Sequence, residues 1–242
     1  MELNIVIDIG NTQTKIAIFN GIELVHFSRF SKLNEALLDE TLTQYNTKRA
    51  IVSCVGNPPF SIVEFLSKKM PVVEFNSSTP IPIKNSYSTK ETLGPDRLAA
   101  AVGAYTLYPN SNVLAIGCGT AITYDFVTSQ GEYLGGAISP GINIRFKALN
   151  HFTAKLPLVE IDENFPILAN STQGSIISGV QNGTIFEIDG YINALSQNIS
   201  DFKVILTGGD ANFFVGKLKN SIFVHPNLVL IGLNRILYHN DQ

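Results

Sequence analysis

Short apolar runs broken by Gly, Asn and Pro organise this chain. Ile5-Val6-Ile7-Asp8-Ile9 stops at Gly10, and Lys15-Ile16-Ala17-Ile18-Phe19 follows the polar stretch Gly10-Asn11-Thr12-Gln13-Thr14. Asn20-Gly21 then leads into Ile22 to Phe30. Three strands are predicted. The Asn-Gly pair between two apolar runs predicts a hairpin, because both residues tolerate the positive φ of a type I′ turn. Leu33, Leu37, Leu38 and Leu42 recur at helical spacing, and residues 50–55 are strand-like. Pro58-Pro59 opens a segment with Ile62, Phe65 and Leu66 on one helical face. A strand over 72–75, a Pro- and Ser-containing loop over 77–88 and a helix over 96–108 complete the first half.

The pattern then restarts. Residues 113–116 form a strand, Gly117-Cys118-Gly119-Thr120 a turn, and 121–127 a second strand. Ser129-Gln130-Gly131 turns the chain into a third strand over 132–139. Helical segments are expected over 142–149 and 172–195, then a strand over 204–206 running into Thr207-Gly208-Gly209. A helix from Asp210, a short strand near Phe223 and a helix after Pro226 close the chain. Each half thus opens with a three-strand meander and continues with alternating helices and strands. This order predicts two α/β lobes, 1–109 and 110–242, joined near Tyr108-Pro109-Asn110.

Composition narrows the function. Of 242 residues, 45% are hydrophobic and only 15% charged, below the usual charged share of roughly 25%. A disordered chain is excluded. The net charge of −3 offers no basic face for nucleic acid. Two cysteines, Cys54 and Cys118, make no disulfide framework or CxxC pair. Met1-Glu2-Leu3-Asn4 lacks a basic leader, and no apolar run approaches the roughly 18 residues of a membrane span. A soluble cytoplasmic protein is expected, without membrane or nucleic-acid partners.

Several polar residues stand where apolar strands end. Asp8-Ile9-Gly10-Asn11-Thr12 can present backbone N–H groups and two side chains to phosphate oxygens, with Lys15 adding positive charge. Asp8 is placed to carry a hydrated Mg²⁺. An ordinary Gly-Asn turn, with Asp8 capping free amides, explains the same residues. Gly119-Thr120 holds the matching place in the second half, and Thr207-Gly208-Gly209-Asp210 runs from a strand towards a helix. Neither a dinucleotide fingerprint nor a P-loop is present. Paired Gly/Thr turns, one per lobe, favour a nucleotide-binding cleft over isolated turns. Gly94-Pro95-Asp96-Arg97 precedes an apolar helix. Asp96 is either a first-turn helix acid with Arg97 as its exposed partner, or a general base beside an anion anchor. The four histidines show no metal-ligand spacing, so no metal ligand set is assigned.

These residues in this order resemble the type III pantothenate kinases of the acetate and sugar kinase/heat-shock chaperone/actin superfamily. The resemblance rests on D-x-G-N-T at Asp8 to Thr12, G-x-D-R at Gly94 to Arg97, and Tyr87 seven residues before Gly94. It continues through Gly119-Thr120, Gly135-Gly136-Ala137-Ile138-Ser139-Pro140-Gly141, Thr172 to Gly179, Thr207-Gly208-Gly209 and the 226–233 segment. It implies two ribonuclease-H-like, actin-like lobes, each a mixed sheet flanked by helices, with an interlobe active-site cleft. It further implies ATP-dependent phosphorylation of pantothenate, the first step of coenzyme A biosynthesis, by a cytoplasmic homodimer.

By the same resemblance, Asp96 is the catalytic base. Tyr87, Gly94, Pro95, Asp96, Arg97 and Thr172 bind pantothenate. Asp8, Ile9, Gly10, Asn11, Thr12, Gln13, Thr14, Lys15 and Thr120 bind ATP, with Mg²⁺ near Asp8. The family's monovalent cation, K⁺ or NH₄⁺, is held by an aspartate whose position here is Gly117. The competing readings are a non-catalytic regulatory or accessory protein with the same nucleotide-binding fold, and a sugar kinase or polyphosphate hydrolase of the superfamily. Intact Asp8, Asp96, Arg97 and Thr120 weigh against the first, and G-x-D-R with Tyr87 and Thr172 against the second.

Overall fold

The computed structural model describes residues 3–56, 58 and 60–241. Met1, Glu2 and Pro59 of the Pro58-Pro59 pair lie outside the described residues. In chain order the elements are β1 (Leu3–Ile9), β2 (Thr14–Asn20), β3 (Glu23–Phe30), α1 (Glu35–Tyr45), β4 (Arg49–Cys54), α2 (Ile62–Ser67) and β5 (Val72–Phe75). Then come β6 (Lys84–Asn85), α3 (Pro95–Leu107), β7 (Asn112–Cys118), β8 (Ala121–Val127) and β9 (Glu132–Pro140). The chain closes with α4 (Ile142–Phe152), α5 (Thr172–Ser196), β10 (Phe202–Thr207), β11 (Phe223–Val224) and α6 (Leu228–His239).

Contacts divide the chain into two compact units. The first comprises Met1–Asn110, Val127–Leu134 and Asn227–Gln242; the second comprises Ser111–Phe126 and Gly135–Pro226. A single cut after residue 109, the expectation from sequence, keeps the last helix with the C-terminal half. The contacts instead join α6 to the first unit, because it packs against α3.

In the first unit the sheet order is β3-β2-β1-β4-β5, with β2 antiparallel and β4 parallel to β1. β1 is apolar on both faces because both are covered. Ile5, Ile7 and Ile9 pack with Leu38 of α1 and Leu66 of α2. Val6, on the opposite face, packs with Ala99 and Val102 of α3 and Leu233 of α6. Each such Ile, Val or Leu side chain contributes about 1.5–3 kcal/mol by leaving water. α3 and α6 cross at glycines: a Cβ on Gly103 would run into Leu228 O, and one on Gly232 into Ala99 O. Asn234 of α6 donates to Gly21 O at 2.9 Å and accepts from Asn4 of β1, tying the helix to the sheet.

The β2–β3 hairpin forms with a shifted turn. Asn20 pairs with Glu23, so Gly21-Ile22 are the central residues. Gly21 has φ +61°, whereas Ile22 is not in the positive-φ region. Glycine at the first central position is the type II′ pattern rather than type I′.

The second unit repeats the strand order as β9-β8-β7-β10-β11, with β10 parallel to β7 and β11 parallel to β10. Its core joins Leu114 and Ile116 of β7, Tyr124 of β8, Phe146 of α4, Ile188 of α5 and Leu206 of β10. The helix expected from Asp210 is only a 3-10 turn over Ala211–Phe214. β6 pairs with the first residues of β9, Lys84 opposite Glu132 and Asn85 opposite Tyr133, within the first unit. No helix among the described residues is long and apolar enough to cross a membrane.

Candidate active site

In the first unit, β1 delivers Asp8 to the edge of a turn closed by Gly10 N–H donating to Gln13 O at 3.1 Å. Asn11, Thr12 and Gln13 of this turn are exposed, while Thr14 is buried as β2 begins opposite Ile9. Lys15 lies across the ladder from Asp8, with Nζ 3.6 Å from Asp8 Oδ2. Asp8 is 5% exposed, and its Oδ1 has no hydrogen-bond partner among the described residues. Burial pushes the Asp8 carboxyl up from its usual range; the Lys15 charge opposes this and the Asp96 charge adds to it.

A buried carboxylate oxygen without a partner is costly. Magnesium suits this oxygen, because it binds through one or two carboxylates and keeps most of its waters. No group of three or more His, Cys, Asp or Glu residues forms a metal cage among the described residues. The donor set therefore fits a largely hydrated Mg²⁺ and not a closed structural metal.

Gly94 N-caps α3 and Pro95 occupies its first turn, where a missing N–H costs nothing. Asp96 follows and accepts from Arg97 N–H through Oδ1 at 2.9 Å. Its second carboxylate oxygen does not serve that bond. Arg97 is buried at 6% exposure, which corrects the reading of Arg97 as an exposed partner of Asp96. Its guanidinium carbon lies 5.6 Å from the Tyr87 ring centroid, within the reach of a cation–π contact. Tyr87 in turn stacks on buried Tyr133 at 6.1 Å, and its N–H donates to Asn85 Oδ1 at 3.0 Å. The first unit thus brings Asp8, Lys15 and Asp96 into one electrostatic neighbourhood and Tyr87 and Arg97 into contact.

In the second unit, Gly119 and exposed Thr120 form the turn between β7 and β8. β7 runs through Gly117 and Cys118, so the turn is shorter than the four residues expected from sequence. Gly119 N–H donates to Ala121 O at 3.1 Å, and Gly141 N–H donates to Thr120 O at 3.0 Å. A Cβ on Gly141 would run into Gly119 O, so only glycine permits this approach. Beside Gly117 stands Thr123, whose Oγ1 would be 2.7 Å from a Cβ at that position. Burial pushes the Cys118 thiol up to about 12, with the Asp210 charge adding to it, so Cys118 is an inert packing residue. Thr172 opens α5, whose N-cap Ser171 accepts from Gly174 N–H at 3.2 Å. Thr172 lines an open concavity of about 660 Å³ with Leu149, Leu156, Asn170 and Ser171.

Two features escaped the sequence reading. Tyr133 backs Tyr87 from a strand much later in the chain, and nothing local marks it. Glu187 and Arg145 form an ion pair at 2.5 Å. Its one signal is that Glu187 and Asp189 are the only charged residues of the 25-residue α5.

The family model for type III pantothenate kinase matches residues 4–194. A type III pantothenate kinase from Phocaeicola vulgatus is 45% identical over 242 residues, covering 99% of this chain and 100% of the relative. Among solved structures, a Campylobacter jejuni protein described as a Baf family transcriptional activator has a TM-score of 0.61 at 22% identity, with 98% of each chain covered. A glucokinase from an Antarctic psychrotroph has a TM-score of 0.54 at 14% identity, with 99% of each covered. These two structural likenesses concern the fold alone.

Proposed function

The chain belongs to the type III pantothenate kinase family, and from that premise we propose how its residues divide the ATP-dependent phosphorylation of pantothenate among them. Asp96 is the general base. The primary hydroxyl oxygen of pantothenate forms a bond to the γ-phosphorus as the bond to the ADP oxygen breaks. The hydroxyl proton passes to the Asp96 carboxylate. The observation that carries this reading is the placement of Asp96 at the start of α3. One of its oxygens is engaged by Arg97 N–H, and its charge is felt by buried Asp8.

Arg97 and Tyr87, in cation–π contact, bind pantothenate with Gly94, Pro95 and Thr172. The turn from Ile9 to Thr14 receives ATP phosphates through its backbone and the exposed side chains of Asn11, Thr12 and Gln13, as does Thr120. Asp8 would hold Mg²⁺ through its unpartnered oxygen, and Lys15 balances the remaining charge. The metal, when bound, neutralises charge on the transferring phosphoryl group. Gly117 supplies no carboxylate, so the monovalent cation is weakly held or dispensable in this kinase. The cytoplasmic homodimer rests on the family resemblance. Asp8, Asp96, Arg97 and Thr120 are all retained, and no observation favours a non-catalytic role.

An ADP-release assay on the full chain tests the reading. ADP formation that depends on pantothenate is expected. ATP turnover indifferent to pantothenate would overturn it.

A further inference from the structure

Behind the Gly119-Thr120 turn lies a set of polar contacts to which the proposed roles give no part. Glu187 of α5 accepts from Tyr124 OH at 2.9 Å, from the Ser139 hydroxyl, and from Arg145 Nη2 at 2.5 Å. Arg145 of α4 donates from Nε to Pro140 O at 2.7 Å and from Nη2 to Ser139 Oγ at 3.2 Å. Pro140 ends β9, and the next residue, Gly141, is the one pressed against Gly119 and bonded to Thr120 O. One continuous path of short contacts thus runs from Glu187 through Arg145 and Pro140-Gly141 to the turn.

We propose that the Arg145–Glu187 pair is the positioning device of the Gly119-Thr120 turn, fixing it from behind so that the Thr120 N–H and hydroxyl meet a nucleotide phosphate in one geometry. The inference rests on the reading that this turn receives ATP. Arginine suits the task because its planar fork reaches the carboxylate and a backbone carbonyl at once, which an ammonium cannot. Desolvation works against a charged Glu187, but the bonds from Ser139, Arg145 and Tyr124 outweigh it and hold its carboxyl below the usual range. The pair therefore stays charged at neutral pH. Neither residue belongs to the proposed ATP or pantothenate set, so both are positioning residues.

The test compares Glu187→Gln and Arg145→Lys with wild type, measuring ATP affinity by calorimetry without pantothenate and both KM values in turnover. Misplaced binding groups cost up to about a hundredfold. ATP Kd and KM are expected to rise about tenfold, with kcat changed less than about threefold. In Glu187→Gln the pantothenate KM should stay within about twofold, because Thr172 precedes Glu187 by fifteen helical positions, about 22 Å at 1.5 Å each. Unchanged ATP affinity in both variants would overturn the proposal, as would equal losses of ATP and pantothenate affinity. If either variant fails to fold, Tyr124→Phe, which removes a single bond to Glu187, decides. A two- to threefold weaker ATP Kd, roughly what one lost hydrogen bond gives, supports the proposal and an unchanged one overturns it. Wild type that binds ATP but does not phosphorylate pantothenate would overturn the substrate reading and not this one. Wild type without ATP affinity would overturn this one.

Discussion

Lys15 Nζ stands 3.6 Å from Asp8 Oδ2, so one oxygen of a buried carboxylate is paired while Oδ1 has no partner among the described residues. Burial raises the Asp8 pKa, so the folded state holds this proton more tightly than the unfolded chain does. Stability contributed by Asp8 is therefore greatest at low pH and falls as pH rises from the unfolded pKa, about 3.9, through the folded value. Asp8→Asn does not ionise. In the absence of Mg²⁺ it is expected to match wild type near pH 4 and to exceed it by about 1 kcal/mol or more near neutrality. Denaturant melts across pH check this, and equal stability at every pH would contradict the unpartnered carboxylate.

The α3–α6 crossing makes a separate prediction. A methyl at Gly232 meets backbone at Ala99, which cannot swing aside as a flexible side chain does. Gly232→Ala should lose about 1–3 kcal/mol, the range for overpacking a close contact. Because α3 carries Asp96 and Arg97, kcat/KM should fall with it. A thermal melt and a single turnover curve suffice.

Arg97→Lys tests the pantothenate side. Lysine keeps the charge but loses the planar guanidinium that lies over Tyr87. Pantothenate KM is expected to rise about tenfold, with ATP KM little changed, the cost of about 1–2 kcal/mol of cation–π and fork geometry. An unchanged pantothenate KM would remove Arg97 from the binding set.

Gly117 carries the fourth prediction. With Thr123 Oγ1 beside the position and no carboxylate there, exchanging Na⁺ for K⁺ or NH₄⁺ at constant ionic strength should change the rate less than about twofold. Steep K⁺ activation would contradict it and require another cation ligand.

Much of this architecture was legible because local chemistry and long-range order agree. The apolar run at Ile5 to Ile9 is buried on both faces, and the leucine spacing shows in α1, which buries Leu38 and Leu42. The Asn20-Gly21 hairpin was legible in existence but not in register, since Gly21 alone takes the positive φ. The helix expected from Asp210 stops as a 3-10 turn, with extended Val215 and positive-φ Gly216 following. The attachment of α6 to the first unit depends on Gly103 and Gly232, far apart in sequence and individually unremarkable. Asp8 and Asp96 were legible as candidate chemistry because acids stand out at strand and helix ends. The burial of Arg97 was not, because its partner Tyr87 lies ten positions away, outside the helix that carries it. Arg145 and Glu187, 42 positions apart, become a pair only when α4 and α5 pack.

The central claim is that Asp96 accepts the pantothenate hydroxyl proton, and kcat of Asp96→Asn beside wild type tests it most directly. The amide keeps size and the bond from Arg97 N–H but accepts no proton. A drop of about 10²–10⁴-fold in kcat is expected, with ATP affinity and melting temperature retained. Full activity in Asp96→Asn would contradict the account.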